Sequence, residues 1–386
     1  VKLPFSCDIF CNVIDNYGDI GVSWRLARQL TNEFGLEVRL CVDDLSSFSR
    51  LCPDADATLE IQRCRGVEVR LWGASFADVQ PAEVVIDAFG CALPEAYLAA
   101  MAEVAGQALW INLEYLSAEG WVEGCHKLPS PRPPLTRYFF FPGFTKKTGG
   151  LLLERDLLAR RDAFMSDPLQ QQGFWESVGM EMPSANTLKI SLFAYENAAL
   201  AGLFDAWANA RQRVLCLVPE GRILPQVLHY FGDENGAGRS FSRGNLTVRV
   251  LPFVAQEDYD TLLWACDLNF VRGEDSCVRA QWAGKPFVWQ IYPQHDAVHW
   301  QKLQAFLDRY GAPLSPAATQ ALQGFWRAWN DEGNARLEWD ALADVLDELN
   351  VRAMAWAHEL AENTLALNLL DFIQEIGTMR ALKIEG

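Results

Sequence analysis

Short, nearly continuous apolar runs alternate with amphipathic segments, and this pattern constrains the chain most because it occurs twice. In the first half, "FSCDIFCNVI", "EVRLCVDD", "EVRLW", "EVVIDAF" and "ALWINLEYL" read as strands. Helices are predicted from about Gly21 and over "PEAYLAAMAEV". A second series supplies the strands "TLKISLFAYEN", "QRVLCLVPEG", "LTVRVLPFV", "LNFVRG" and "PFVWQIYP", with the helices "ALAGLFDAWANA", "QEDYDTLLWACD" and "SCVRAQWAGK" between them. Strands apolar on both faces and separated by helices belong to a parallel sheet covered on both sides. The expected fold class is α/β, with two doubly wound domains. At 386 residues the chain is also too long for one ordinary core. Open sheets of this kind bind ligands beyond the carboxyl ends of their strands, and a cleft between two such domains is the default site.

The pattern breaks between about 129 and 150, where "PSPRPPLTRYFFFPGFTKKTGG" reads as a long irregular loop, functional or connecting. The following "LLLERDLLARRDAFMSDPLQQQGFWESVG" reads as helical, as does most of the chain after about 299.

Fifty acidic residues against 33 basic ones leave a net charge of −17. That argues against non-specific binding to nucleic acid or to an anionic membrane, since both need a positive surface. Ten scattered cysteines, with no CxxC pair, read as reduced core thiols. "HDAVH" (His295, His299) lacks the glutamate of the HExxH zinc motif, so structural or substrate roles are expected of these histidines. No signal peptide or span of about 20 apolar residues is seen, and a soluble, cytoplasmic protein is expected.

Two stretches carry chemistry. "DNYGDIG" stands where a phosphate loop would connect a first strand to a first helix, yet it holds Asp15 and Asp19 and no base. Two carboxylates would repel a phosphate by several kcal/mol at low effective dielectric. They suit a cation, a guanidinium or a hydroxyl awaiting deprotonation, unless Asp19 simply caps the helix. Gly18 and Gly21 are expected to let the backbone turn sharply and approach a ligand. In "FVRGEDSCVRAQWAGKPFVWQIYPQ", Asn269 and Phe270 are read as ending a strand, Ser276 as the N-cap of the next helix and Gly284 as lying near its end. That helix N-terminus suits a diphosphate, helped by Arg272 and Arg279, or else it is an ordinary strand–turn–helix. Phe193, Tyr195, Phe253, Gln256 and Tyr259 fall at strand ends. Aromatics there can stack on a base while an amide reads its edge, although such rings are more often core.

"DNYGDIGVSWRLARQL" and "RGEDSCVRAQWAGKPFVWQIYPQ", together with "LFAYEN" and "LPFVAQEDYD", closely resemble the EarP family of bacterial protein-arginine rhamnosyltransferases, which modify elongation factor P. The resemblance runs through essentially the whole chain. It implies a GT-B glycosyltransferase: two Rossmann-like domains facing a central cleft, an acceptor domain over 1–160 joined by a C-terminal helix at about 357–386, and a nucleotide-sugar domain over 185–356. It further implies dTDP-β-L-rhamnose as donor, an arginine of elongation factor P as acceptor, inversion at the anomeric carbon and no metal or other cofactor. The family's acidic pair falls on Asp15 and Asp19, with Asp19 as general base, and its cleft glutamate on Glu274. Diphosphate binding falls on Asp275 and Ser276. Thymine and ribose contacts fall on Phe193, Tyr195, Phe253 and Gln256, with Arg272 and Tyr292 close to the donor. Cys277 and Tyr259 stand where some relatives are expected to have phenylalanine. Two other readings remain open from the residues: a GT-B enzyme or epimerase using another nucleotide sugar, and a non-catalytic module docking a basic loop.

Overall fold

The computed structural model describes residues 5–14, 17–73, 76, 79–103, 108–233, 238–293, 298–330 and 333–384, with side chains as far as 379. Compact contacts divide the chain into two units, Val1–Arg155 with Leu360–Gly386, and Asp156–Glu359.

The first unit is built on eight strands: β1 (Ser6–Cys11), β2 (Glu37–Val42), β3 (Ile61–Cys64), β4 (Val67–Leu71), β5 (Val84–Ala88), β6 (Leu109–Leu113), β7 (Pro129–Arg132) and β8 (Leu135–Phe140). Their order is β3-β4-β2-β1-β5-β6-β8-β7. All neighbours run parallel except the two edge pairs, β3 with β4 and β7 with β8. The chain moves outward from β1 in one direction through β2 and then crosses to β5 on its other side. The carboxyl end of β1 is thus the topological switch point. Central strands such as β5 and β6 are buried throughout, which is why their sequences are apolar runs without alternation.

Part of the expected irregular loop is instead the β7–β8 hairpin. Leu135–Phe140 extends the parallel sheet beside β6, and the proline-bearing β7 closes its edge. Proline cannot donate to a ladder, so it is tolerated at an edge, and a Pro-rich stretch there masks a strand from sequence reading. The short edge strand β3 also escapes the apolar pattern.

Asp8, at the centre of β1, is 1% exposed. It binds the Arg39 guanidinium through two contacts of 2.5 Å, accepts from the Ala82 N–H at 3.1 Å and accepts from the Tyr97 hydroxyl. A buried charge is tolerable only when so paired, and this one ties three neighbouring segments together. The C-terminal helix Leu365–Ile384 returns to this unit, where Phe372 packs on Tyr138 and Phe140.

The second unit holds β9 (Thr187–Leu192), β10 (Arg213–Pro219), β11 (Ser240–Arg243), β12 (Leu246–Leu251), β13 (Leu268–Arg272) and β14 (Phe287–Gln290) in the order β11-β12-β10-β9-β13-β14. Only β11 runs antiparallel to its neighbour. The switch point lies here between β9 and β13. Helix Asp275–Ala283 is buried from Ser276 to Ala283 and ends at Gly284 in the left-handed conformation, as its sequence leads one to expect. The ten cysteines are unpaired, and all but Cys125 are buried. Among the described residues no helix is long and apolar enough to cross a membrane.

Candidate active site

Each unit has one switch point, and polar and charged side chains gather at both. In the first, β1 runs out at Cys11 and the chain re-enters regular structure in the helix Gly18–Phe34. Ile20, Trp24, Ala27 and Leu30 bury one stripe of that helix. Asp19 is its second residue and is 5% exposed. Its Oδ2 accepts the Ile14 N–H at 3.1 Å, across the loop. Asp43, at the end of β2, accepts the preceding Val13 N–H at 2.9 Å. Two carboxylates therefore hold the start of the loop, and Ser23 Oγ donates to the Asp19 carbonyl at 2.9 Å. The N-cap residue, Tyr17, makes no side-chain capping bond, and Asp19 lies where the helix's partial positive charge favours a carboxylate. Asp15 lies outside the described residues. Gly18 and Gly21 belong to the helix rather than to a sharp turn: Gly18 opens it, and the Gly21 N–H donates to the Tyr17 carbonyl at 2.9 Å.

At the second switch point the strand Leu268–Arg272 lies within the run "LNFVRG" and ends at Arg272, two residues beyond Phe270. Asn269 instead bridges inside the fold, accepting from Ser191 Oγ at 2.6 Å and donating to the Leu263 carbonyl at 3.1 Å. Gly273, at φ +63°, then turns the chain in a conformation that favours glycine, and Glu274 becomes the N-cap of the next helix. Ser276 is thus not the cap. It lies inside the first turn, and its hydroxyl donates to the Arg272 carbonyl while accepting the Arg272 N–H at 3.2 Å. The tight glycine turn folds the serine back over the strand end. The Glu274 side chain makes no capping bond, and the helix N-terminus carries backbone donors and a partial positive charge.

Arg272 is 4% exposed, and its guanidinium carbon lies 4.6 Å from the ring centres of both Phe193 and Tyr195. Phe193 and Tyr195 lie two apart just beyond the end of β9 and share one side. Here that shared side faces a cation. Tyr259 supports Phe193 edge-on at 5.7 Å, and Tyr292 meets Tyr195 at 5.6 Å. Burial raises the Tyr259 hydroxyl pKa well above its usual range. Tyr292 is 41% exposed, whereas Tyr195 is 5% exposed. Gln256 is buried and donates through Nε2 to Asp275 Oδ2 at 3.2 Å. Phe253 is partly buried beside a cavity of about 930 Å³ that Phe174, Arg249 and Trp264 also line.

Arg279 does not join this group. Its guanidinium donates to the Asp260 carboxylate through Nε at 2.6 Å and Nη2 at 2.7 Å, and the pair is buried between two helices. Its place one turn into the helix from Ser276 suggested phosphate, but the neighbouring helix supplies the counter-charge. His295 lies outside the described residues, and His299 packs on Trp300.

Sequence reasoning missed the residues that hold the rim in shape. Gln290 Oε1 accepts the Tyr195 N–H at 2.8 Å, and Trp289 Nε1 donates to the Gly273 carbonyl at 2.7 Å. Asn330 accepts the Ile291 N–H at 3.0 Å and donates to the Trp289 carbonyl at 2.9 Å. A glutamine closing the otherwise apolar "FVWQ" was the available signal, since a buried amide needs partners.

Residues 7–374 match the family described as elongation factor P (EF-P) rhamnosyltransferase EarP. The protein-arginine rhamnosyltransferase of Pseudomonas putida KT2440 is 53% identical over 95% of this chain and 97% of its own. That of Pseudomonas aeruginosa PAO1 is 51% identical over 92% and 94%. A solved structure described as the structural basis for EarP-mediated arginine glycosylation of translation elongation factor EF-P superposes with a TM-score of 0.68. It is 38% identical and covers 96% of this chain and 99% of that one. MurG of Acinetobacter baumannii, at 13% identity and a TM-score of 0.52, covers 96% of this chain and 99% of its own and shares the GT-B fold alone. The chain belongs to the EarP family of GT-B glycosyltransferases.

Proposed function

We propose that this chain transfers L-rhamnose from dTDP-β-L-rhamnose to the guanidinium of one arginine of elongation factor P, with inversion and with Asp19 as general base. The family match over residues 7–374 carries the reading, and the chemistry of the two rims supports it. An arginine guanidinium is charged at neutral pH and is a poor nucleophile. A carboxylate beside it can take two N–H···O bonds and draw charge away from the attacking nitrogen. Asp15, as the second acid, would share that task.

As the nitrogen bonds to the anomeric carbon, the bond from that carbon to the diphosphate oxygen breaks. The attacking nitrogen becomes acidic and its proton passes to Asp19. The diphosphate departs with the electron pair toward the N-terminus of the helix Asp275–Ala283 and the buried Arg272. With the phosphate charge met in this way, the reading needs no metal. Displacement in a single step inverts the anomeric centre. Phe253, Gln256 and Tyr292 would line the donor, while Phe193 and Tyr195 would hold Arg272 and border the nucleotide. Glu274, at the helix start, would touch the sugar. A cytoplasmic site of action follows from such an acceptor.

The test is incubation with elongation factor P and dTDP-β-L-rhamnose, followed by intact-protein mass spectrometry and fragmentation. A gain of one deoxyhexose on an arginine is expected, with the α-linkage read by NMR. No gain with this donor, or a gain with another nucleotide sugar, would overturn the assignment.

A further inference from the structure

The first unit has a second feature on the rim that holds Asp19, and the reaction above does not use it. Phe89, just beyond β5, sits at φ +59°, a left-handed conformation that is an outlier for a bulky side chain. Its neighbours enforce it. The Phe89 N–H donates to the Leu113 carbonyl at 2.6 Å, and the Gly90 N–H donates to Asn112 Oδ1 at 3.1 Å. Asn112 is 1% exposed, and its Nδ2 donates to Glu114 Oε1 at 2.5 Å. One buried amide thus sets both the strained turn and the direction of a carboxylate. The result is a stacked pair: Phe89 lies against Tyr115 with ring centres 4.6 Å apart and planes 22° apart, both rings partly exposed. Cys91 Sγ donates to the Phe10 carbonyl at 3.3 Å and ties this turn to the end of β1. Strained backbone persists where surrounding structure over-determines it, and the strain then points to a use.

β5 lies directly beside β1, and β6 directly beside β5. With strands about 5 Å apart, the aromatic pair stands roughly 5–10 Å along the rim from the end of β1. An extended chain covers about 3.3–3.6 Å per residue. A peptide with its arginine at the Asp19 loop would therefore bring a side chain one to three residues away over Phe89, Tyr115 and Glu114. Aromatic faces beside an oriented carboxylate select a cation. We propose that Phe89, Tyr115 and Glu114 form a second acceptor subsite, which takes a basic side chain flanking the target arginine and so sets acceptor specificity. The inference rests on the arginine-acceptor reading.

Steady-state kinetics and calorimetry with elongation factor P test it on the whole enzyme. Tyr115→Leu and Glu114→Gln should each raise the acceptor KM and Kd by about 5- to 30-fold, with kcat and the Kd for dTDP-β-L-rhamnose within twofold. Tyr115→Phe should behave as wild type. Phe89→Gly is the second variant: it relieves the left-handed strain, so Tm should hold or rise while the acceptor KM rises. Replacing each basic residue near the target arginine by alanine should find one whose loss removes the sensitivity to Tyr115→Leu. Unchanged acceptor Kd in both Tyr115→Leu and Phe89→Gly would overturn the subsite, and so would additive effects with every flanking basic residue. Wild-type enzyme that binds the factor without modifying it would refute the transfer reading, while the Kd comparison would still decide the subsite.

Discussion

The guanidinium of Arg272 lies over the ring of Tyr195 at 4.6 Å, buried at the end of one strand by a side chain from the end of its neighbour. The arrangement stacks a positive charge against an aromatic face at the sheet's carboxyl rim. Cation–π contacts of this kind contribute about 0.5–2 kcal/mol. Tyr195→Leu should therefore weaken donor binding by about 3- to 30-fold in calorimetry, with Tyr195→Phe close to wild type. If Tyr195→Leu bound dTDP-β-L-rhamnose as tightly as wild type, the ring would not be positioning Arg272.

Asp19→Asn keeps an oxygen that can accept the Ile14 N–H and removes the capacity to take a proton. Transfer should fall by about 10²- to 10⁴-fold, the usual worth of general-base catalysis, while donor affinity stays within about twofold. Stopped-time mass spectrometry gives the rate and calorimetry the affinity. Near wild-type turnover would move the base elsewhere.

Arg279 and Arg272 should separate cleanly. Arg279→Leu strands the buried Asp260 carboxylate and should cost about 3–5 kcal/mol in chemical denaturation. Restoring balance with Asp260→Leu in the same chain should recover much of that loss. Recovery of stability and donor affinity by the pair would mark Arg279 as structural, whereas persistent donor loss in a stable double variant would return it to the diphosphate.

Asp87 is fully buried, accepting from Trp110 Nε1 at 2.6 Å and from Arg137 at 3.1 Å. Burial raises its pKa to about 7, with Arg137 and the Trp110 bond opposing. A folded-state value above the unfolded one means that the folded protein keeps this proton longer. The resulting stability is present below about pH 4 and is lost as pH rises through 7, on the order of 4 kcal/mol at full titration. Asp87→Asn should remove that dependence. In thermal melts from pH 4 to 8, the variant's Tm relative to wild type should climb with pH. A constant difference would show that Asp87 does not titrate in this range.

Much of the candidate site was legible because strand ends announce themselves in a parallel α/β chain. "LFAYEN", "LPFVAQEDYD" and "RGEDS" each follow an apolar run, so their residues had to gather at one rim. What hid was partnership. Nothing local to Ser276 says that its hydroxyl turns back onto Arg272, because a glycine at positive φ decides that. Nothing near Arg279 names Asp260, which approaches from another helix.

By itself, the sequence determined the two parallel sheets and the side of each on which chemistry collects, since apolar periodicity and chain order are local properties. It also determined that the "DNYGDIG" loop carries acid and that the strand before "GEDS" ends in base. Tertiary structure alone decided which charges are spent on the fold and which face a rim. Asp8 takes Arg39, Asp260 takes Arg279, and Arg272 rests on aromatic rings. A buried charge must be balanced by whatever packs beside it, and its neighbours in space are set by strand order rather than by position along the chain.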